Sequence, residues 1–202
     1  MLGNTTGFQI ARINLKSFFL KFILLSIVVS FLVEIWAIIM ELSLAQHIEL
    51  VTKYSGVIGI ILFSGIFLEE NNSALRELIN SKYVNLQGVY IVRYILSSLA
   101  LLVILFVWGL VYAKKSGLNY LVLYLVNAFS DSFVFGNLTF ALYILKDNVI
   151  ITYMVSFFLF LLYVENIDIP PEYVIMKNCI FILCGILLTC FSFFGVKYKQ
   201  KV

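Results

Sequence analysis

Charge is scarce in this chain of 202 residues: 12% of them are Asp, Glu, Lys or Arg, while 62% are hydrophobic. A water-soluble domain is about half apolar and about a quarter charged. The excess apolar surface excludes a single soluble core of this size and makes lipid the simplest solvent for the chain. Histidine occurs once, as His47, and cysteine three times, as Cys179, Cys184 and Cys190, all in the last apolar run. One histidine and that cysteine spacing exclude the usual metal patterns. The cysteines read as small packing hydrophobes, and His47 reads as an exposed loop residue. There is no G-x-x-x-x-G-K-[ST] loop and no H-E-x-x-H helix, so the chain has neither a P-loop nor a zinc-protease motif of its own. Glu69-Glu70 is followed by Arg76, which is the wrong spacing for the Glu-Glu-x-x-x-Arg of a membrane CAAX-type protease, and the partner histidines are missing. No enzyme activity, metal or cofactor is therefore assigned to this chain. The first apolar run is too long for a signal peptide and carries no A-x-A site, so it is expected to be retained. The net charge of +3 gathers at the ends of apolar runs. That is topological information and not a nucleic-acid patch.

What is present is a series of long apolar runs, read as six transmembrane spans near 18–40, 54–68, 88–112, 120–145, 149–164 and 178–196. The expected fold is all-α and polytopic, a single transmembrane domain over residues 1–202. Residues 5–17 mix Phe8, Ile10, Ile13 and Leu15 with Gln9, Arg12 and Lys16, which suits an interfacial helix on the headgroups. Glu41–Lys53 reads as a mixed link, and Glu165–Lys177, with Pro170-Pro171, as a polar one. Gly56, Gly59 and Gly65, with Ser55 and Ser64, give the second span a small-residue face for close helix packing.

Cations set the orientation. With the N-terminus inside, the inner segments hold Arg12, Lys16, Lys21, Arg76, Lys82, Arg93, Lys146, Lys197, Lys199 and Lys201. The outer ones hold Lys53, Lys114, Lys115 and Lys177. This excess places both termini in the cytoplasm.

The longest break in the grease is Glu69–Lys82. Asn72 or Ser73 can cap a helix there, and Leu75, Leu78 and Ile79 fall on one face at i, i+3 and i+4. Arg76, Glu77 and Asn80 fall elsewhere. Such a helix can lie along the inner membrane surface and present a side to a soluble partner.

The run Phe67-Leu68-Glu69-Glu70, the helix with Leu75-Arg76-Glu77-Leu78-Ile79, the Ser81-Lys82 turn, and Tyr90 with Arg93-Tyr94 opening the next span together resemble the permease subunits of ABC-2-type exporters (the type V exporter-like layout). The N-terminal interfacial helix, six spans and basic tail are similar too, although the chain and its link after the fifth span are short for that family. The resemblance implies a cytoplasmic coupling helix carrying Glu69, Glu70, Leu75, Arg76, Glu77, Leu78 and Ile79, docked on a separate ABC ATPase subunit. ATP and Mg would be bound by that partner. It further implies a second permease copy or a related permease, a bacterial cell membrane, and export of an amphipathic or hydrophobic peptide, bacteriocin- or toxin-like, or a drug. The alternative is a non-transporting immunity or sensory protein that sequesters a peptide or partner within the membrane.

Two acids lie inside apolar runs. Asp131, in Ser130-Asp131-Ser132, is near the middle of the fourth span. A central Asp costs about 2.5–3.5 kcal/mol on insertion scales, so it should face protein or water. It would either line a substrate path and meet a cationic group, or bond to a neighbouring helix or at a subunit seam. Glu34, in the outer third of the first span, is expected at a dimer seam or interface.

Overall fold

The computed structural model describes residues 20–67, 86–116, 118–166 and 170–199. These form six helices: α1 Leu20–Ile39, α2 Leu44–Ser64, α3 Leu86–Ser116, α4 Leu118–Lys146, α5 Val149–Asn166 and α6 Val174–Lys199. A 3-10 turn, Pro171–Tyr173, leads into α6. Five stretches, within α1, α2, α3, α4 and α6, are long and apolar enough to cross a membrane, and the apolar stretch of α5, Val149–Glu165, is shorter. The expected interfacial helix at 5–17 lies outside the described residues. So does the coupling segment with Glu69, Glu70, Leu75, Arg76, Glu77, Leu78 and Ile79.

Side-chain register fixes the helix directions. Between α2 and α4 the pairs ascend together: Ser55 Oγ donates to the Ala128 carbonyl at 2.9 Å, and Phe67 stacks on Tyr143 at 4.0 Å. Between α4 and α6, Asp131 meets Lys177 and Asn137 meets Thr189. These three helices are therefore parallel. Against α4, the partners on α3 and α5 descend. Tyr112 packs on Tyr124 but Tyr90 on Phe140, and Tyr163 reaches Asp131 but Ser156 reaches Thr139. On α1, Glu34 meets His47 while Phe22 lies against Gly65. The bundle alternates up and down. Its link end joins α1 to α2, α3 to α4 and α5 to α6, and its terminal end carries the other connections.

The centre is α4, which packs against α2, α3, α5 and α6. Glycine makes the closest of these contacts possible. A Cβ on Gly59 would run into the Ser132 backbone carbonyl, and one on Gly136 would meet the Phe63 ring. Around this seam Leu62, Phe63, Ile66, Phe67, Tyr124 and Phe140 form a core from which solvent is excluded. The outer faces of α1, α3 and α6 are broadly apolar and exposed, as a lipid-facing surface must be. Cys179, Cys184 and Cys190 are free and lie on that exposed face of α6 instead of packing between helices.

Two element boundaries differ from the sequence expectation. The second helix starts at Leu44, so most of the expected Glu41–Lys53 link is helical. Gln46 Oε1 accepts from the Ser43 N–H at 3.1 Å and from its hydroxyl at 2.8 Å, which opens the helix ahead of the apolar run. The sixth helix starts at Val174 and absorbs Lys177, because Pro170-Pro171 provide a helix entrance and not merely a loop. The break between α4 and α5 falls where the apolar runs place it, at Asp147-Asn148. Asp147 takes φ 52°, and Asn148 Oδ1 accepts from the Ile150 and Ile151 N–H groups at 3.0 and 3.2 Å. That is a left-handed helix end followed directly by an N-cap.

Candidate functional site

Polar side chains inside an apolar bundle carry its information, because each must find a partner or cost free energy. The first cluster is built on α4. Asp131 is fully buried, and its Oδ1 lies 2.8 Å from Lys177 Nζ in the first turn of α6. Its Oδ2 accepts from the Tyr163 hydroxyl on α5 at 3.0 Å. The ammonium also lies 5.5 Å from the centre of the Phe181 ring, within cation–π range. Next to it, Ser130 Oγ donates to Asn178 Oδ1 at 2.7 Å, and Asn178 Nδ2 donates to Asn127 Oδ1. One carboxylate, one ammonium, one phenol, one hydroxyl and two amides thus tie α4, α5 and α6 together.

The depth of this cluster differs from a simple count along the sequence. Asp131 lies 13 residues past Leu118, the first residue of α4, but Tyr163 lies only 3 before the end of α5 at Asn166. At about 1.5 Å per residue, the α3–α4 hairpin extends beyond the α5–α6 turn at the link end. Asp131 is mid-helix in its own span and yet level with the ends of its neighbours. The ion that answers it is the chain's own Lys177.

The second cluster joins α1, α2 and α3 at the same end. His47 Nε2 lies 2.8 Å from Glu34 Oε2, and the Tyr112 hydroxyl donates to Glu34 Oε1. Tyr124 of α4 packs on Tyr112 with ring centres 5.1 Å apart. His47 is therefore a largely buried helical residue and not an exposed loop residue. The helix starts ten residues before the expected apolar span and so takes in His47. Glu34 finds its partners within this chain.

A third network lies nearer the terminal end, where Tyr94 and Thr189 hydroxyls are 2.9 Å apart and Thr189 Oγ1 donates to Asn137 Oδ1 at 2.7 Å. Below it Arg93 is buried, and its guanidinium donates to the Ile66 carbonyl at 2.7 Å. Ile66 lies just past the last residue of α2, where helix carbonyls lack intrahelical partners and carry the negative end of the dipole. Arg93 clamps the end of α2 to α3 immediately before the segment expected to act as a coupling helix.

No group of three or more metal-ligating side chains occurs among the described residues. No protein-family model matches the chain, and no curated protein or solved structure matches it either. The class that the helices define is a polytopic helical membrane protein. Within that class, the particular assignment rests on the layout of the chain and its polar clusters.

Proposed function

We propose that this chain is the membrane-spanning permease subunit of a bacterial ATP-driven exporter, coupled to a separate ATPase subunit and paired with a second copy or a related permease. The supporting observation is the alternation of the six helices. It puts the start of α1, the end of α2, the start of α3 and the end of α6 at one end of the bundle. On the cation excess counted for that side, we read that end as cytoplasmic, which would make the face of Leu75, Leu78 and Ile79 expected from the sequence available to a soluble partner. Arg93 supports the same reading, because a lever needs a rigid root and the guanidinium fixes the end of α2. The centre of the bundle is filled by aromatic rings and paired polar groups, so cargo would cross at a seam between subunits. An amphipathic or hydrophobic peptide or drug suits such apolar walls.

A second reading, a non-transporting immunity or sensory protein, is favoured by one observation: Asp131 is already neutralised by Lys177. The experiment that separates them is co-purification from native membranes of the tagged parent and of the tagged Leu75→Asp/Leu78→Asp variant. An ATPase subunit that accompanies the parent and is lost from the inserted variant supports the permease. Absence of any ATPase from the parent supports the second reading.

A further inference from the structure

We propose that the bundle thins the bilayer on one side: at the link end, phospholipid headgroups descend along α2 and α5 to Glu165, beside the buried Asp131–Lys177 pair, while acyl chains still cover α3 at that level. This follows from helix lengths and levels and does not depend on a permease role. The apolar stretch of α5, Val149–Glu165, has 17 residues. At about 1.5 Å per residue it reaches about 25 Å, short of a hydrocarbon core of about 30 Å. Tilt would shorten that reach further. Charge marks both its ends, with Lys146 and Asp147 at one and the exposed Glu165 and Glu172 at the other. Ionised side chains are costly in hydrocarbon, and a helix too short for the core is met by a thinner bilayer. The apolar stretch of α3, Gly88–Lys114, has 27 residues and crosses a full core with length to spare.

Register puts the shortfall at the link end. Tyr163 bonds to Asp131, so Glu165 lies about two residues outward of Asp131. A Cβ on Gly109 of α3 would meet Leu121, Tyr124 and Leu125 of α4, which lie six to ten residues outward of Asp131. Val107, two residues inward of Gly109, therefore stands about 5 Å farther out than Glu165. Yet Val107 and its neighbours Val103, Phe106, Leu110 and Val111 are exposed and apolar. The deeper side chain is the charged one, and a flat leaflet cannot serve both. Helix α2 gives an independent sign of the same side. Its face at Gly56 is covered by Phe160 of α5. Farther out that face continues as Lys53, Glu49 and Gln46, with Lys53 paired to Glu49 at 3.2 Å and Glu49 and Gln46 exposed. A stripe that carries both signs of charge suits headgroups and their water and not acyl chains.

Depth-dependent quenching tests this on the full chain, freed of Cys179, Cys184 and Cys190 and reconstituted into phosphatidylcholine vesicles. A bimane label is placed on a single new cysteine. One set of vesicles carries a nitroxide on the lipid headgroup and another carries it in mid-chain. At Glu165→Cys the headgroup nitroxide should quench more than the mid-chain one. At Val107→Cys the order should reverse, although Val107 stands farther out. Circular dichroism establishes that each variant is folded, and Glu49→Cys substitutes should Glu165→Cys fail. Stronger mid-chain quenching at both sites means that a flat leaflet covers both, and overturns the proposal. Stronger headgroup quenching at both sites means that the α3–α4 hairpin stands clear of the hydrocarbon, and overturns it too. So does a label at either site that neither nitroxide quenches, because protein or bulk water then covers that side.

Discussion

Lys177 holds its ammonium 2.8 Å from the Asp131 carboxylate, with 11% and 1% of the two side chains exposed, so the pair is shielded from both water and lipid. Its consequence is asymmetric. A buried pair adds little over well-packed apolar residues, but removing one partner leaves an uncompensated charge at a cost of about 3–5 kcal/mol. Lys177→Met or Asp131→Leu alone should therefore lower the unfolding midpoint strongly in detergent. The double variant should recover most of the loss. Additive losses in this cycle would show that the two side chains act independently.

The helix seam gives a sharper steric prediction. Gly59→Ala drives a Cβ into the Ser132 backbone, which cannot rotate away, whereas Gly88 has nothing within 4 Å of the same position. Gly59→Ala should destabilise by about 1–3 kcal/mol, the usual range for overpacking, and should reduce the monodisperse yield. Gly88→Ala should be neutral or slightly stabilising, as expected where an added methyl meets open space in a helix. Equal midpoints for the two variants would contradict the close α2–α4 approach.

Arg93→Met removes the donor to the Ile66 carbonyl. Such a loss costs about 1–3 kcal/mol. A Cys placed at Phe67, which is fully buried beside the clamp, should then react faster with a water-soluble maleimide in the Arg93→Met background than in the parent. Unchanged reactivity would mean that α2 ends firmly without the clamp.

Much of the fold is visible in the sequence, because long apolar runs separated by polar breaks already spell out membrane helices. The need for Asp131 to face protein follows from the cost of a charge in lipid, and the structure buries it completely. Its partners were not visible. Lys177 looks like the end of a polar link until Pro170-Pro171 is recognised as the entrance of a helix that holds Lys177 one turn in. His47 was hidden in the same way. The Ser43-x-x-Gln46 pattern starts α2 in mixed sequence, and hydropathy cannot register a helix before its apolar part begins. Partner choice across helices depends on relative depth, which the span lengths alone do not give: α4 has 29 residues and α5 only 18.

The alternation of helices makes a direct topological prediction. In a protein freed of Cys179, Cys184 and Cys190, a membrane-impermeant maleimide added to intact cells should label a Cys at Asp168 and miss one at Gly3 or Lys201. Labelling of either terminal position from outside would overturn the orientation.

The central claim is that residues 69–82 dock an ATPase, and crosslinking in the living cell tests it most directly. A photoreactive amino acid at Leu75 or Leu78 should capture, on illumination, a soluble subunit that mass spectrometry identifies by a G-x-x-x-x-G-K-[ST] sequence, while the same probe at Glu172, at the opposite end, should not. Crosslinks from Leu75 and Leu78 that reach only integral membrane proteins, in a chain shown to be inserted and folded, would contradict it.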